Sequence, residues 1–124
     1  MTEMVTVLII DDSSFQRTII RKTLTEAGYP CIEADNGRSG LEMIEQSKPG
    51  IIIVDLLMPD IDGIEFLTIL QKRGISIPII VLTSDIQDAT RKRCIELGAS
   101  RFLNKPLRRE ELIPAIRQLL NPGV

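Results

Sequence analysis

Asp11-Asp12, Asp55, Thr83-Ser84 and Lys105 are the residues of this chain whose types could together do chemistry. The chain contains no histidine, so imidazole acid–base catalysis, histidine metal ligation and Ser-His-Asp triads are excluded at once. Whatever reaction it supports must run on carboxylates, hydroxyls and lysine. Three carboxylates brought close repel one another and raise each other's pKa unless a cation sits among them. A hard divalent ion relieves that repulsion, and Mg²⁺ favours a few carboxylates together with waters and a phosphate oxygen. A carboxylate such as Asp55 can itself act as a nucleophile and form an acyl phosphate. A lysine such as Lys105 would neutralise charge on the transferred phosphoryl oxygens, and a hydroxyl such as Thr83 would hydrogen-bond one of them. Taken singly these residues say little, because Asp-Asp pairs are common at strand ends and Lys-Pro usually marks a turn. They carry weight only if the fold gathers them.

The elements that would gather them are legible as apolar runs. Val5–Ile10, Ile51–Val54 and Ile77–Leu82 are nearly continuous in Val, Ile and Leu, as expected of strands buried on both faces of a parallel sheet. Arg101–Leu103 is a weaker run, and Cys31–Ala34, after the turn at Gly28-Tyr29-Pro30, reads as a strand near an edge. Helical stripes lie between. The first holds Phe15, Ile19, Ile20, Leu24 and Ala27 before Gly28, and the second holds Leu41 and Ile44 before Pro49-Gly50. Ile64, Leu67 and Leu70 run to Gly74, Ala89 to Leu97 runs to Gly98, and Leu112, Ile113, Ile116, Leu119 and Leu120 close the chain. The remaining Met, Ile and Leu residues read as core. Strand and helix alternating five times argue for right-handed crossovers and a doubly wound parallel α/β sheet in one domain, residues 1–124. In such sheets ligands bind beyond the carboxyl ends of the strands. Asp11-Asp12, Asp55, Thr83-Ser84 and Asn104-Lys105-Pro106 follow four of the five strands, so all would meet at one edge.

At this point the chain resembles the response-regulator receiver domains, the CheY-like family of two-component phosphorelays, over nearly all of residues 5–120. The matching pieces are Asp11-Asp12, the D-x-x-M-P-x-x-D-G stretch from Asp55 to Gly63, Thr83-Ser84 and Lys105-Pro106. The resemblance implies a flavodoxin-like sheet in the order 2-1-3-4-5, as in CheY-like proteins. It implies Asp55 as phosphoryl acceptor from a histidine kinase or phosphotransfer protein. It also implies Mg²⁺ held by Asp12, Asp55 and the backbone carbonyl of Leu57, with Asp11 holding a metal-bound water. Lys105 resembles the phosphate-pairing lysine, with a cis bond to Pro106. Thr83 resembles the switch hydroxyl and Phe102 the switch aromatic, and Gly63 is expected to serve the turn into the third helix. Two departures stand out. Leu57 is apolar where relatives are often polar, which bears on phosphoryl lifetime, and Pro114 falls inside the fifth helix, where a kink is expected.

Composition excludes other classes. A phosphatase of the haloacid-dehalogenase type needs D-x-D at its nucleophile, whereas Leu56-Leu57 follow Asp55. An FMN carrier would meet repulsion from Asp11-Asp12, and no P-loop or GxGxxG occurs. No apolar run approaches a membrane span and there is no signal peptide, so the expected location is cytoplasmic. The two cysteines, Cys31 and Cys94, lie in no CxxC pattern and read as buried or half-buried thiols. The charge is uneven: residues 1–62 hold 5 basic and 11 acidic side chains, residues 63–124 hold 10 and 6. Arg91, Lys92, Arg93, Arg101, Arg108, Arg109 and Arg117 cluster where the fourth helix, fifth strand and fifth helix should form one face. That face is expected to dock an acidic partner or a second copy of the chain through Asp88, Glu96, Glu110 and Glu111. Nucleic-acid binding is disfavoured by the overall acidity and the lack of a recognition helix. The chain reads either as a free-standing receiver, the preferred expectation, or as the receiver part of a longer regulator whose output domain is missing.

Overall fold

The computed structural model describes residues 5–121. Five strands, β1 (Val7–Ile10), β2 (Cys31–Ala34), β3 (Ile51–Asp55), β4 (Ile79–Thr83) and β5 (Arg101–Asn104), alternate with five helices. These are α1 (Ser14–Glu26), α2 (Gly37–Ser47), α3 (Gly63–Lys72), α4 (Asp88–Glu96) and α5 (Arg109–Leu120). The strands pair in parallel in the order β2-β1-β3-β4-β5, the order expected from the resemblance.

The side-chain alternation of each strand divides the core in two. Leu8, Ile10, Ile52, Val54, Ile79 and Val81 pack with Phe66, Leu67 and Leu70 of α3 and with α2 and Cys94. Val7, Ile9, Ile51, Ile53, Ile80 and Leu82 pack with Ile20 and Leu24 of α1 and with Leu112, Ile113 and Ile116 of α5. Each fully buried Ile or Leu contributes about 2 kcal/mol of transfer free energy, so the three central strands anchor the sheet rigidly under its carboxyl edge.

Several boundaries differ from the sequence reading. β4 starts at Ile79, not Ile77, because Pro78 has no N–H to give the ladder, although its carbonyl still accepts from Ile52 at 3.0 Å. β1 likewise begins at Val7, whereas β3 ends in Asp55 itself. Phe15, in the first turn of α1, is not part of that helix's buried stripe, being 70% exposed. Ile86 and Ile95 also depart from the core reading and lie exposed. Helix α5 continues through Pro114. Its ring nitrogen cannot donate to the carbonyl of Glu110, but Pro114 faces outward while Ile113 and Ala115-Ile116 stay buried, so packing holds the helix across the missing bond. Both cysteines are free, Cys31 half-buried and Cys94 buried. Burial, and secondarily the charge of Glu33, push the Cys31 thiol up to about 11, which leaves it unreactive near neutral pH.

Candidate functional site

Strand register builds the site. Ile10 lies opposite Val54, so the next residues, Asp11 and Asp55, emerge side by side. Asp55 pairs with Leu82 and Thr83 with Asn104, which places Thr83 just beyond Asp55 and Lys105 just beyond β5. Oxygens of Asp11, Asp12 and Asp55 all lie within 4.8 Å of one another. Lys105 Nζ bridges the two buried carboxylates, 3.4 Å from Asp55 Oδ1 and 3.5 Å from Asp11 Oδ2. The other Asp11 oxygen accepts the Ser13 N–H at 2.9 Å. Asp12 is exposed. The Lys105–Pro106 bond is cis, as the resemblance implies.

Asp55 is held above the ordinary carboxylate value of 3.8, first by burial and then by the neighbouring charge of Asp11, while Lys105 and the Leu57 amide pull it back. One lysine is thus outvoted by desolvation plus a like charge. Three oxygen donors of that kind, two buried and one open to solvent, fit a hard divalent cation well and a soft metal poorly. A stability consequence follows for the metal-free protein. Below the ordinary carboxylate range both folded and unfolded states keep the Asp55 proton. As pH rises, the unfolded chain releases its proton first, so stability falls until the pH passes the raised folded value. The melting temperature of Asp55→Asn without divalent ions should therefore match wild type in acid and exceed it progressively above that range. Added Mg²⁺ should close the gap, and a constant difference at all pH values would contradict the assignment of strain to this carboxylate.

The β3–α3 loop shows what each letter of the D-x-x-M-P-x-x-D-G stretch does. Leu56 and Met58 are buried in the core under the site, whereas Leu57 points outward, 62% exposed. Asp60 takes a left-handed φ of 66°, a conformation that short polar side chains tolerate. Asp62 caps α3 by accepting the Glu65 N–H at 2.9 Å. Gly63 donates its N–H to the Leu56 carbonyl at 2.8 Å, and a Cβ there would stand 2.7 Å from the Leu56 Cα and 3.1 Å from the Asp55 carbonyl oxygen. Gly63 is therefore needed for close approach of α3 to the strand that carries Asp55, and not for an unusual turn.

Thr83 is fully buried, and its Oγ1 accepts the N–H of Asp85 at 3.1 Å. Asp85 in turn accepts from the Gln87 N–H and the Thr90 hydroxyl, and the Asn104 amide donates to the Asp85 carbonyl at 3.2 Å. Phe102 is half-buried against the α3 side of the core. Ser84 is exposed. Sequence reasoning missed the Asp85–Asn104 linkage and a second one through Arg17 and Glu33, since polar side chains so far apart along the chain leave no periodic signal.

Comparison with known proteins identifies the family and the fold. The response regulator receiver domain profile matches residues 7–117, and the chain belongs to that family. It is 40% identical over 109 residues to a protein-glutamate methylesterase/protein-glutamine glutaminase of Treponema pallidum, covering 85% of this chain and 27% of that protein. It is 34% identical over 116 residues to response regulator MprA of Mycolicibacterium vanbaalenii, covering 94% and 50%. Among solved structures, Vibrio cholerae chemotaxis protein CheY4 superposes with a TM-score of 0.88 at 29% identity, covering 94% of this chain and 99% of that one. The chain thus spans half or less of the length of these two curated relatives. Two-component signalling is the system in which this receiver belongs.

Proposed function

We propose that residues 1–124 form a single receiver whose Asp55 takes a phosphoryl group and thereby switches the surface built from α4, β5 and α5. The observation that carries this reading is the bridge from Lys105 to both Asp55 and Asp11 at 3.4 and 3.5 Å, which sets a cation beside a nucleophile and a metal-type donor set. The phosphoryl donor in this reading is a phosphohistidine of a histidine kinase or phosphotransfer protein, since none of residues 1–124 is a histidine. An Asp55 carboxylate oxygen attacks phosphorus, the P–N bond breaks, its electron pair returns to the donor imidazole, and an acyl phosphate results. Asp12, Asp55 and the Leu57 backbone carbonyl would hold Mg²⁺, with Asp11 reaching it through water. The ion supplies positive charge that lets phosphoryl oxygens approach an acidic cluster. Lys105 neutralises one phosphoryl oxygen, and the Thr83 hydroxyl, whose proton is free while its oxygen accepts from Asp85, donates to another. The domain is a switch that assists its own phosphorylation and dephosphorylation, and it does not turn over an outside substrate. No helix among the described residues is long and apolar enough to cross a membrane, which suits a cytoplasmic receiver. Incubation with acetyl phosphate and Mg²⁺ should add one phosphoryl group by intact mass. Chelation of the metal should prevent it, and labelling that survives chelation would count against the reading.

Output follows from Thr83. When its hydroxyl turns to the phosphoryl group it releases the Asp85 amide, loosening the loop that leads into α4 and vacating space for Phe102. A difference of only a few kcal/mol between states suffices for one phosphoryl group to shift the population. On the output face Arg101 is committed to Gln118 at 2.7 Å, Arg108 faces Glu111 at 3.7 Å and Arg109 faces Glu26 at 3.8 Å. Arg91, Lys92, Arg93 and Arg117 form no ion pair among the described residues, nor do Asp88, Glu96 and Glu110. Asp88, Lys92, Ile95 and Glu96 line one open groove along α4, giving both signs of charge around an exposed apolar residue. That pattern suits a second copy of the chain. Sedimentation should show the mass rising with beryllofluoride and falling back at high salt. An unchanged monomer in both states would instead direct attention to an external acidic target.

A further inference from the structure

The site's most exposed acid is also its least constrained. Asp11 is fixed through its carboxylate by Ser13 and Lys105 and through its amide, which donates to the Ala34 carbonyl at 3.1 Å. Asp12 has no side-chain hydrogen bond among the described residues. Only the peptide plane that joins it to Asp11 can orient it, and one side chain grips that plane. Arg17 Nη1 donates to the Asp11 carbonyl at 2.7 Å, while its Nε donates to Glu33 Oε1 at 3.1 Å. Glu33 Oε2 is held by Arg21 Nη1 at 2.6 Å. Arg17 and Glu33 are both largely withdrawn from solvent, with side chains 17% and 26% exposed.

We propose that Arg17, anchored on β2 by Glu33, is a positioning residue that sets the Asp11–Asp12 peptide plane and so aims Asp12 into the Mg²⁺ site. The inference rests on the metal reading given above. Arginine suits the task because its planar fork can bond two acceptors in fixed directions, which a lysine ammonium on its flexible stem cannot do. Glu33 has a second role. It offsets the guanidinium charge, so that Arg17 acts on the loop as an oriented donor and does not compete with a divalent cation for the same carboxylates. Groups that orient metal ligands typically change affinity by about tenfold or more when removed. A partly exposed ion pair, by contrast, is worth about 1 kcal/mol or less to stability and has no reason to alter metal binding.

The test is Mg²⁺ titration calorimetry paired with thermal melting of the metal-free protein. Arg17→Ala, a change α1 accepts readily, should weaken Mg²⁺ binding about tenfold. Arg17→Lys should recover little of that loss. Asp12→Ala, which removes the aimed carboxylate itself, should weaken binding more than either. Arg21→Ala is the control: it breaks the shorter, 2.6 Å contact to Glu33 without touching Asp11, so it should lower the melting temperature at most slightly and leave Mg²⁺ affinity at the wild-type value. Wild-type affinity in Arg17→Ala, or an equal loss in Arg21→Ala, would overturn the positioning role while leaving the metal site standing. Absence of Mg²⁺ binding by the wild-type protein would overturn both.

Discussion

Asp55→Asn should abolish phosphoryl labelling by acetyl phosphate, while Asp60→Asn and Asp62→Asn should label as wild type does. The acceptor must be a carboxylate that is at once near the Lys105 ammonium and inside the acidic cluster, and Asp55 alone on its loop meets both conditions. Asparagine keeps the shape and the core packing beneath it but has no anionic oxygen to attack phosphorus. Asp60 sits exposed in a left-handed turn and Asp62 is occupied as the cap of α3, so neither faces the transferred group. The measurement is intact mass followed by peptide mapping after borohydride reduction of the acyl phosphate. Stoichiometric labelling of Asp55→Asn would falsify the acceptor assignment. Lys105→Ala offers a graded companion, expected to slow labelling without moving it to another residue, because it removes a stabilising charge and not the nucleophile.

The largest effect on stability is expected from Gly63→Ala. The added methyl would meet the Leu56 Cα at 2.7 Å and the Asp55 carbonyl oxygen at 3.1 Å. These are backbone atoms of a buried strand and its exit, so neither can turn aside as a side-chain tip would. Relief requires α3 to move off the sheet or the end of β3 to shift, at a cost of about 3 kcal/mol. In a domain of this size that lowers the melting temperature by roughly 10 °C or more. Gly74→Ala is the matched comparison. Its φ of +68° strains any L-residue, yet nothing lies within 4 Å of a Cβ there, so the expected loss is only about 1 kcal/mol. Gly63→Ala should also slow labelling in whatever fraction stays folded, since the displaced backbone carries Asp55. Equal melting temperatures for the two variants would show that close approach is not what position 63 requires.

The contrast between these glycines separates what can be read along the chain from what cannot. Continuous Val/Ile/Leu runs declared the three central strands, because burial on both faces leaves no room for polar alternation, and the shorter runs at Cys31–Ala34 and Arg101–Leu103 supplied the two edge strands. With the strands placed, Asp11, Asp12, Asp55, Thr83 and Lys105 had to meet, since a parallel sheet brings all its carboxyl ends to one edge. Class and candidate site were therefore legible from local composition plus one topological rule. Which apolar residues are left uncovered was not. Phe15 and Ile86 have the same chemistry as core residues, yet the closed fold leaves them in solvent. The same holds for Gly63, whose necessity arises from a helix pressed on a strand end, and for Arg17, whose guanidinium joins Glu33 to the Asp11 carbonyl. Hydrophobic periodicity is a one-dimensional signal and survives in sequence; distances between backbones and hydrogen bonds between remote polar groups exist only once the chain has closed on itself.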